Sequence, residues 1–296
     1  MRFSGYGLAS RSLTVQCVHS SKYIVLFLSI FCLLTLVCSD ICDRKLDKGV
    51  ERCKTRPLPS GMISYGEAVA AFFAWIPVIF GVTYLTLGKS GVITFIPIWV
   101  LSLVYPFMKR YIQFPQVILG AVIGAAVFPG WVAVTNDLNG LEKGLPLFAA
   151  TMSWVIYFDV FYATQDHKDD KKIGVKSIAV LLGDKTWIFL AGLAVLQVAF
   201  FAVTALKANM SYIFWVFGVG VWALNLPWHV ISLDMNSRKS GAKIFKANIM
   251  LGLYMTGIAL VELLITRVYL RALIHTALRA ASTGIAQKGN ATAIRG

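Results

Sequence analysis

Asp40, Asp43 and Asp47 recur at intervals of three and four residues, and so do Asp159, Tyr162, Asp166 and Asp170. On a helix each set falls within about 80° of arc and forms one narrow stripe. Asp169 belongs to neither row and points about 80° away from Asp159. Carboxylates so arranged repel: at an effective dielectric near 20, a like pair about 4 Å apart costs about 4 kcal/mol. Arg52, Lys54, Arg56, Lys109, Arg110, Lys172 and Lys176 are at hand to compensate. The other answer is a divalent cation. Hard oxygen ligands on two helices suit Mg²⁺, which takes a few carboxylates together with waters and ligand phosphates. A single acidic row reads more readily as a solvated helix end, whereas two rows each trailed by Lys or Arg favour the cation.

Those stripes must be presented by membrane helices. Of 296 residues, 57% are hydrophobic and only 14% charged, and the mean hydropathy is +0.70. Soluble domains carry about 25% charged residues. Disordered, collagenous and disulfide-rich secreted classes are excluded, and long apolar runs exclude a β-barrel. The reading is an all-α, multi-span helical bundle of eight membrane helices, near 23–38, 65–86, 92–108, 116–135, 146–162, 186–206, 211–232 and 247–266. Loops 39–64, 109–115, 163–185 and 233–246 fall on one face and hold seventeen Lys and Arg, against three on the other. That bias makes the first face cytoplasmic or matrix-like. Nine of the fourteen acids gather at it, in or beside two loops remote in sequence. The net charge of +14 is accordingly read as topology, with no nucleic-acid partner. The implied ligand is anionic, metal-bridged and partly apolar, and a prenyl diphosphate has all three properties.

The five cysteines all lie before residue 54, far from three of the four histidines, so zinc-type spacing is absent. Cys38 and Cys42, one turn apart, read as small apolar residues, a metal pair being the alternative. Trp99, Trp131, Trp187 and Trp215 read as interface or packing residues, and Trp228 and His229 as structural.

The motifs themselves resemble the UbiA superfamily of intramembrane aromatic prenyltransferases. S-D-I-C-D-R-K-L-D-K-G-V-E-R-C-K-T-R-P-L-P-S-G (39–61) is similar to its first aspartate-rich signature, Y-P-F-M-K-R (105–110) to its Y-P-x-x-K-R segment, and D-V-F-Y-A-T-Q-D-H-K-D-D…G-V-K-S (159–177) to its second signature. The resemblance runs from about residue 22 to 266. It implies a Mg²⁺–diphosphate cage of Asp40, Asp43, Asp47, Asp166 and Asp170. It implies diphosphate contacts from Arg52, Arg56, Lys109, Arg110 and Lys176. Tyr105, Tyr162, Gln165 and Asp159 would stand at the reacting end. The activity implied is transfer of a farnesyl or longer isoprenoid to a phenolic acceptor, in meroterpenoid or quinone biosynthesis. A membrane terpene cyclase is the alternative within the superfamily. A transporter is the alternative outside it, disfavoured because the charge gathers at one face.

This chain departs from the family pattern in three places. Ser39 replaces Asn, Cys53 replaces Thr, and one apolar run rather than two precedes Asp40, so the first of nine family helices is expected to be missing. Three segments are expected: 1–22, a targeting or truncated stretch; 23–266, the bundle; and 267–296, a basic tail. An endomembrane location is favoured. The acid-free, serine-rich first 22 residues leave the mitochondrial inner membrane as the alternative.

Overall fold

The computed structural model describes residues 37–45, 47–49 and 53–293, the side chains of 109, 110, 173 and 267–293 excepted. Most of the expected 23–38 segment, Arg52 and the 1–22 segment lie outside the described residues. Within them the protein is all-helical, with six helices long and apolar enough to cross a membrane. Helix α1 covers 37–45, and α2 is the short Pro57–Ser60. Helix α3 runs Tyr65–Tyr111. It starts on a capping box: Glu67 N–H donates to Ser64 Oγ, and Ser64 N–H to Glu67 Oε2.

Helix α3 is a hairpin. Gly88 adopts φ 63°, ψ −163° inside it, a conformation that favours glycine. The Phe80 and Trp99 rings then lie 6.0 Å apart, where a straight helix would separate them by about 28 Å. Its arms match the expected 65–86 and 92–108, and Ile79, Phe95 and Ile98 pack between them with Val122. The expected 116–135 divides into α4 (Pro115–Gly124) and α5 (Val127–Thr135). Next come α6 (Leu145–Thr164), α7 (His167–Ile173), α8 (Ile178–Leu182) and α9 (Thr186–Lys207). A π-helical stretch (Phe214–Gly220) leads into α10 (Val221–Ile231). Helix α11 (Arg238–Ala293) extends far past the apolar 247–266 at both ends. Its flanks hold no proline to stop it.

Helix α6 is the axis. Ala150, Val155, Tyr157, Val160 and Phe161 on it are fully buried, and the main core joins it to α9, α10 and α11. The Tyr157 hydroxyl donates to Leu226 O at 2.9 Å, and Trp222 Nε1 to Gln197 Oε1 at 3.2 Å, so these two buried donors are satisfied across helices. His229 is buried against Tyr157 and Phe161, whereas Trp187 and Trp228 are exposed, as are the apolar Leu85, Leu224 and Ile231. Of the two acids outside the charged loops that bear on a transport path, Glu67 caps the start of α3 and Glu262 accepts from Ser211 N–H and Oγ–H, so neither lies at the middle of a membrane span.

Two glycine seams set α6 against its neighbours. A Cβ on Gly120 would stand 2.8 Å from Ile156 and 2.9 Å from Met152 O; one on Gly124 would reach Met152 N at 3.1 Å. This small-xxx-small pattern lets α4 and α6 backbones touch. A Cβ on Gly252 would meet the Trp154 indole at 2.5 Å, so glycine there makes room for that ring between α6 and α11. Gly120→Leu is expected to lower the melting temperature in detergent, at a cost of about 1–3 kcal/mol or more from overpacking. Gly130→Leu, where nothing lies within 4 Å, is expected to leave it nearly unchanged.

Candidate active site

The first acidic row folds as its spacing requires. Residues 37–45 are helical and Asp47 continues the helix, with Asp43 3% and Asp47 7% exposed. Ser39 Oγ donates to Asp43 Oδ2 at 3.4 Å. The chain then turns through Cys53, whose carbonyl accepts from Arg56 N–H, and Pro57 opens α2 at a position that needs no donor. Gly61 ends α2 at φ 83°. This elbow aims Arg56 back at the row: its Nη1 donates to Asp47 Oδ2 at 2.9 Å and to Asp40 Oδ1 at 3.1 Å. Burial works against the guanidinium's charge, but Asp47, Cys53, Asp40 and Tyr162 more than offset it and raise its pKa above the ordinary value.

The second row departs from a continuous helix. Helix α6 ends at Thr164, and Asp166 takes φ −109°, ψ 0° before α7 begins. Asp159 and Tyr162 thus belong to one helix, Asp166 and Asp170 to the bend and the next. Gly174 closes α7 at φ 75°. Its N–H and that of Val175 both reach Asp170 O, a Schellman-type end. The G-V-K-S stretch now reads residue by residue. Gly174 reverses the chain and Val175 lines the cleft below it. Lys176 Nζ donates to Tyr111 O at 3.2 Å, and Ser177 Oγ caps α8 by accepting from Val180 N–H.

Loops 39–64, 109–115 and 163–185 meet at one end of the bundle, and 233–246 joins them through the Arg238–Asp169 pair. Between the first three lies a half-open cleft of about 110 Å³, lined by Asp43, Asp47, Arg56, Tyr105, Asp159, Tyr162, Asp166, Asp170 and Lys176. Asp40 is tied to this wall through Arg56. Gln165 is not among the lining residues; its Cγ stands where a Cβ on Gly241 would meet it at 3.4 Å. Lys109 and Arg110 occupy the last turn of α3, their side chains outside the described residues, as is Arg52 altogether. Two polar lining residues, Gln116 and Ser177, were given no role from sequence. Gln116 is 3% exposed, and its Oε1 accepts from Ile178 N–H at 3.4 Å. Its signal was its place after Pro115, in the first turn of a helix that starts at the charged face.

Among the described residues no three Asp, Glu, His or Cys converge on a single point to hold a metal. The donor set is nevertheless hard carboxylate oxygen, carried on two sides of a cleft that also holds Arg56 and Lys176. That set fits Mg²⁺ bound through one or two carboxylates, waters and the phosphates of a ligand.

Residues 7–255 match the UbiA prenyltransferase family. Over 231 residues the chain is 65% identical to a polyprenyl transferase of Penicillium terrestre, covering 78% of this chain and 72% of that one. It is 62% identical over 224 residues to a polyprenyl transferase of Aspergillus niger, with 76% and 68% covered. A UbiA homolog from Aeropyrum pernix superposes with a TM-score of 0.73 at 22% identity, over 85% of this chain and 95% of that one. Another from Archaeoglobus fulgidus, bound to GPP and Mg²⁺, superposes at 0.62 and 17% identity, over 81% and 87%.

Arg56 bonds two acids through one nitrogen, so the energies of these residues are expected to be coupled. Arg56→Ala and Asp47→Asn should each lower thermal stability, and the double variant should lose less than the summed effects, by about 0.5–3 kcal/mol in a double-mutant cycle. Strict additivity would show that the contact contributes nothing.

Proposed function

This chain belongs to the UbiA prenyltransferase family, and from that premise we propose that it is a membrane enzyme moving a farnesyl or longer isoprenoid from its diphosphate to a carbon of a phenolic acceptor. The observation that carries this reading is the cleft itself: carboxylates from two loops more than a hundred residues apart, with Arg56 and Lys176 among them. Asp43 and Asp47 on one side and Asp166 and Asp170 on the other, with Asp40 at the rim, would hold Mg²⁺. Bound there, the ion supplies positive charge to the departing diphosphate.

The chain's own residues do the rest. Lys176 and the guanidinium N–H groups of Arg56 not given to Asp40 and Asp47 face the diphosphate, with Arg52, Lys109 and Arg110 as further cations around it. Tyr105 and Tyr162 present aromatic faces, which stabilise an allylic cation. Asp159, one turn below the end of α6, is placed to accept the ring proton that leaves when the new bond forms. Gln165, whose Cγ lies toward Gly241 of α11, is the further polar group at the reacting end. The bundle beneath excludes water that would otherwise quench the cation. The likeness to named polyprenyl transferases supports the transfer. The neighbour solved with GPP and Mg²⁺ supports the donor and the ion. Relatives described as 4-hydroxybenzoate polyprenyltransferases support the aromatic acceptor, one of them 34% identical and mitochondrial in Schizosaccharomyces pombe. Between meroterpenoid synthesis at an endomembrane and quinone synthesis in mitochondria we take the first, since the fungal relatives at 65% and 62% identity are described as polyprenyl transferases and the one described as mitochondrial is 34% identical.

Purified protein in nanodiscs with farnesyl diphosphate, Mg²⁺ and a phenolic acid is expected to give a prenylated acid by mass spectrometry. EDTA should abolish it. Asp43→Ala and Asp166→Ala should each cut the rate by about 10²-fold or more, the scale of losing one preorganised electrostatic contact. Hydrocarbon released without an acceptor would make the protein a cyclase instead, and turnover unaffected by EDTA would remove the ion from the scheme.

A further inference from the structure

Helix α7 has only seven residues, too few to hold its own shape or direction in water. It leaves α6 through a non-helical residue, yet it carries Asp170, and Asp166 at its cap, toward the cleft. Something outside must fix its angle. On the side of α7 turned away from that row, Asp169 Oδ2 accepts from Arg238 Nη2 at 2.6 Å, across 69 residues of chain. Arg238 opens α11. One turn on, a Cβ at Gly241 would collide with Thr164 Oγ1 and stand 2.7 Å from Phe161 O. Only glycine lets α11 settle on the last turn of α6. A further turn on, the Phe245 ring packs at 5.1 Å against Tyr162 of the cleft wall.

Residues 238, 241 and 245 share one face of α11. Its start is itself tied down: Ser240 Oγ donates to Ser232 O and accepts from Asp234 N–H.

We propose that the first two turns of α11 act as a jig for the second acidic cluster, with Arg238 as its positioning residue. Its ion pair with Asp169, beside the Gly241 seat, sets the angle at which α7 presents Asp166 and Asp170. Arg238 touches no ligand. This rests on the prenyl-transfer reading of the cleft for its functional consequence, though not for its structural one.

The test uses the full chain in nanodiscs. Arg238→Glu and Asp169→Arg are each expected to speed amide hydrogen exchange across residues 167–173 in the ligand-free protein. They should raise the KM for farnesyl diphosphate about three- to fivefold, the upper range for a half-exposed ion pair, with kcat within about twofold. The swapped pair, Asp169→Arg with Arg238→Glu, should restore both readouts, and Lys239→Glu on the same turn should change neither. Unchanged exchange in the single variants, failure of the swap to restore it, or an equal effect of Lys239→Glu would overturn the proposal. Should Arg238→Glu fail to fold, Arg238→Gln is judged by the same two readouts. A wild-type protein that consumes no prenyl diphosphate would count against the transferase reading alone, because the exchange measurement needs no turnover.

Discussion

Carboxylates withdrawn from bulk water at the rim of a low-dielectric slab repel one another more strongly than they would on a soluble surface. Asp43, Asp47 and Asp166 are all nearly inaccessible, so this constraint governs how the charged end is put together. Protein cations answer it at the flanks. Arg56 holds Asp40 and Asp47, and Arg238 holds Asp169 on the far side of the second cluster. Between the flanks, acids from both loops face a common space. A ligand bringing its own negative charge can enter that space only with positive charge beside it. The same electrostatics that organises the cleft therefore selects a metal-escorted anion over a neutral molecule.

Such a cleft keeps its shape only if the acids sit on something stiff. Helix α6 supplies this through close backbone approaches. Gly120 and Gly124 let α4 touch it on one side, which places Gln116, one turn before Gly120, at the cleft wall. Gly241 lets α11 touch it on another, which places Phe245 behind Tyr162. Where regular helix ends, the chain becomes irregular at a few residues: Asp166 in the bridge region, Gly174 in the left-handed one. Irregular backbone at this level is tolerable because it borders a polar cavity and its carbonyls are used, as at Asp170 O. Rigid packing below and short bends above divide the work between stability and ligand contact.

Much of this was legible in the sequence, because acids at helical spacing in loops of one charge bias are a strong signal and the motifs around them are long. The one-face placement of Asp43 and Asp166 needed only the parity of apolar runs. The hairpin in α3 was legible through Gly88 and Lys89 between two apolar stretches. Other features left no trace. The bend at Gln165–Asp166 has neither Gly nor Pro to mark it, so a continuous helix was expected. Gln116 carries no charge and stood outside the acid-and-base pattern. Arg56 was recognisable as a cation near acids, but its choice of Asp40 and Asp47 depends on the elbow made by Pro57 and Gly61, a three-dimensional fact. Asp169, the residue out of step with its row, was legible as an oddity, while its partner 69 residues away was not.

The depth at which these groups lie bears on the proposed chemistry. Asp159 precedes the end of α6 by five residues, or about 7 Å along the axis, while Asp166 and Asp170 lie beyond it. The diphosphate end of a donor would rest among charges and water, and its first carbons would lie a turn or two lower, beside Tyr162 and Asp159. A carbon–oxygen bond crossing that boundary is pulled from both ends. The departing anion is stabilised where the field is positive and hydrated, and the cation left behind sits where water is excluded and aromatic faces are near. Reversing the geometry would strand an anion in hydrocarbon and expose the cation to hydrolysis. That asymmetry is why the acids belong at the mouth of the bundle and not at its centre, where a transport path would need them.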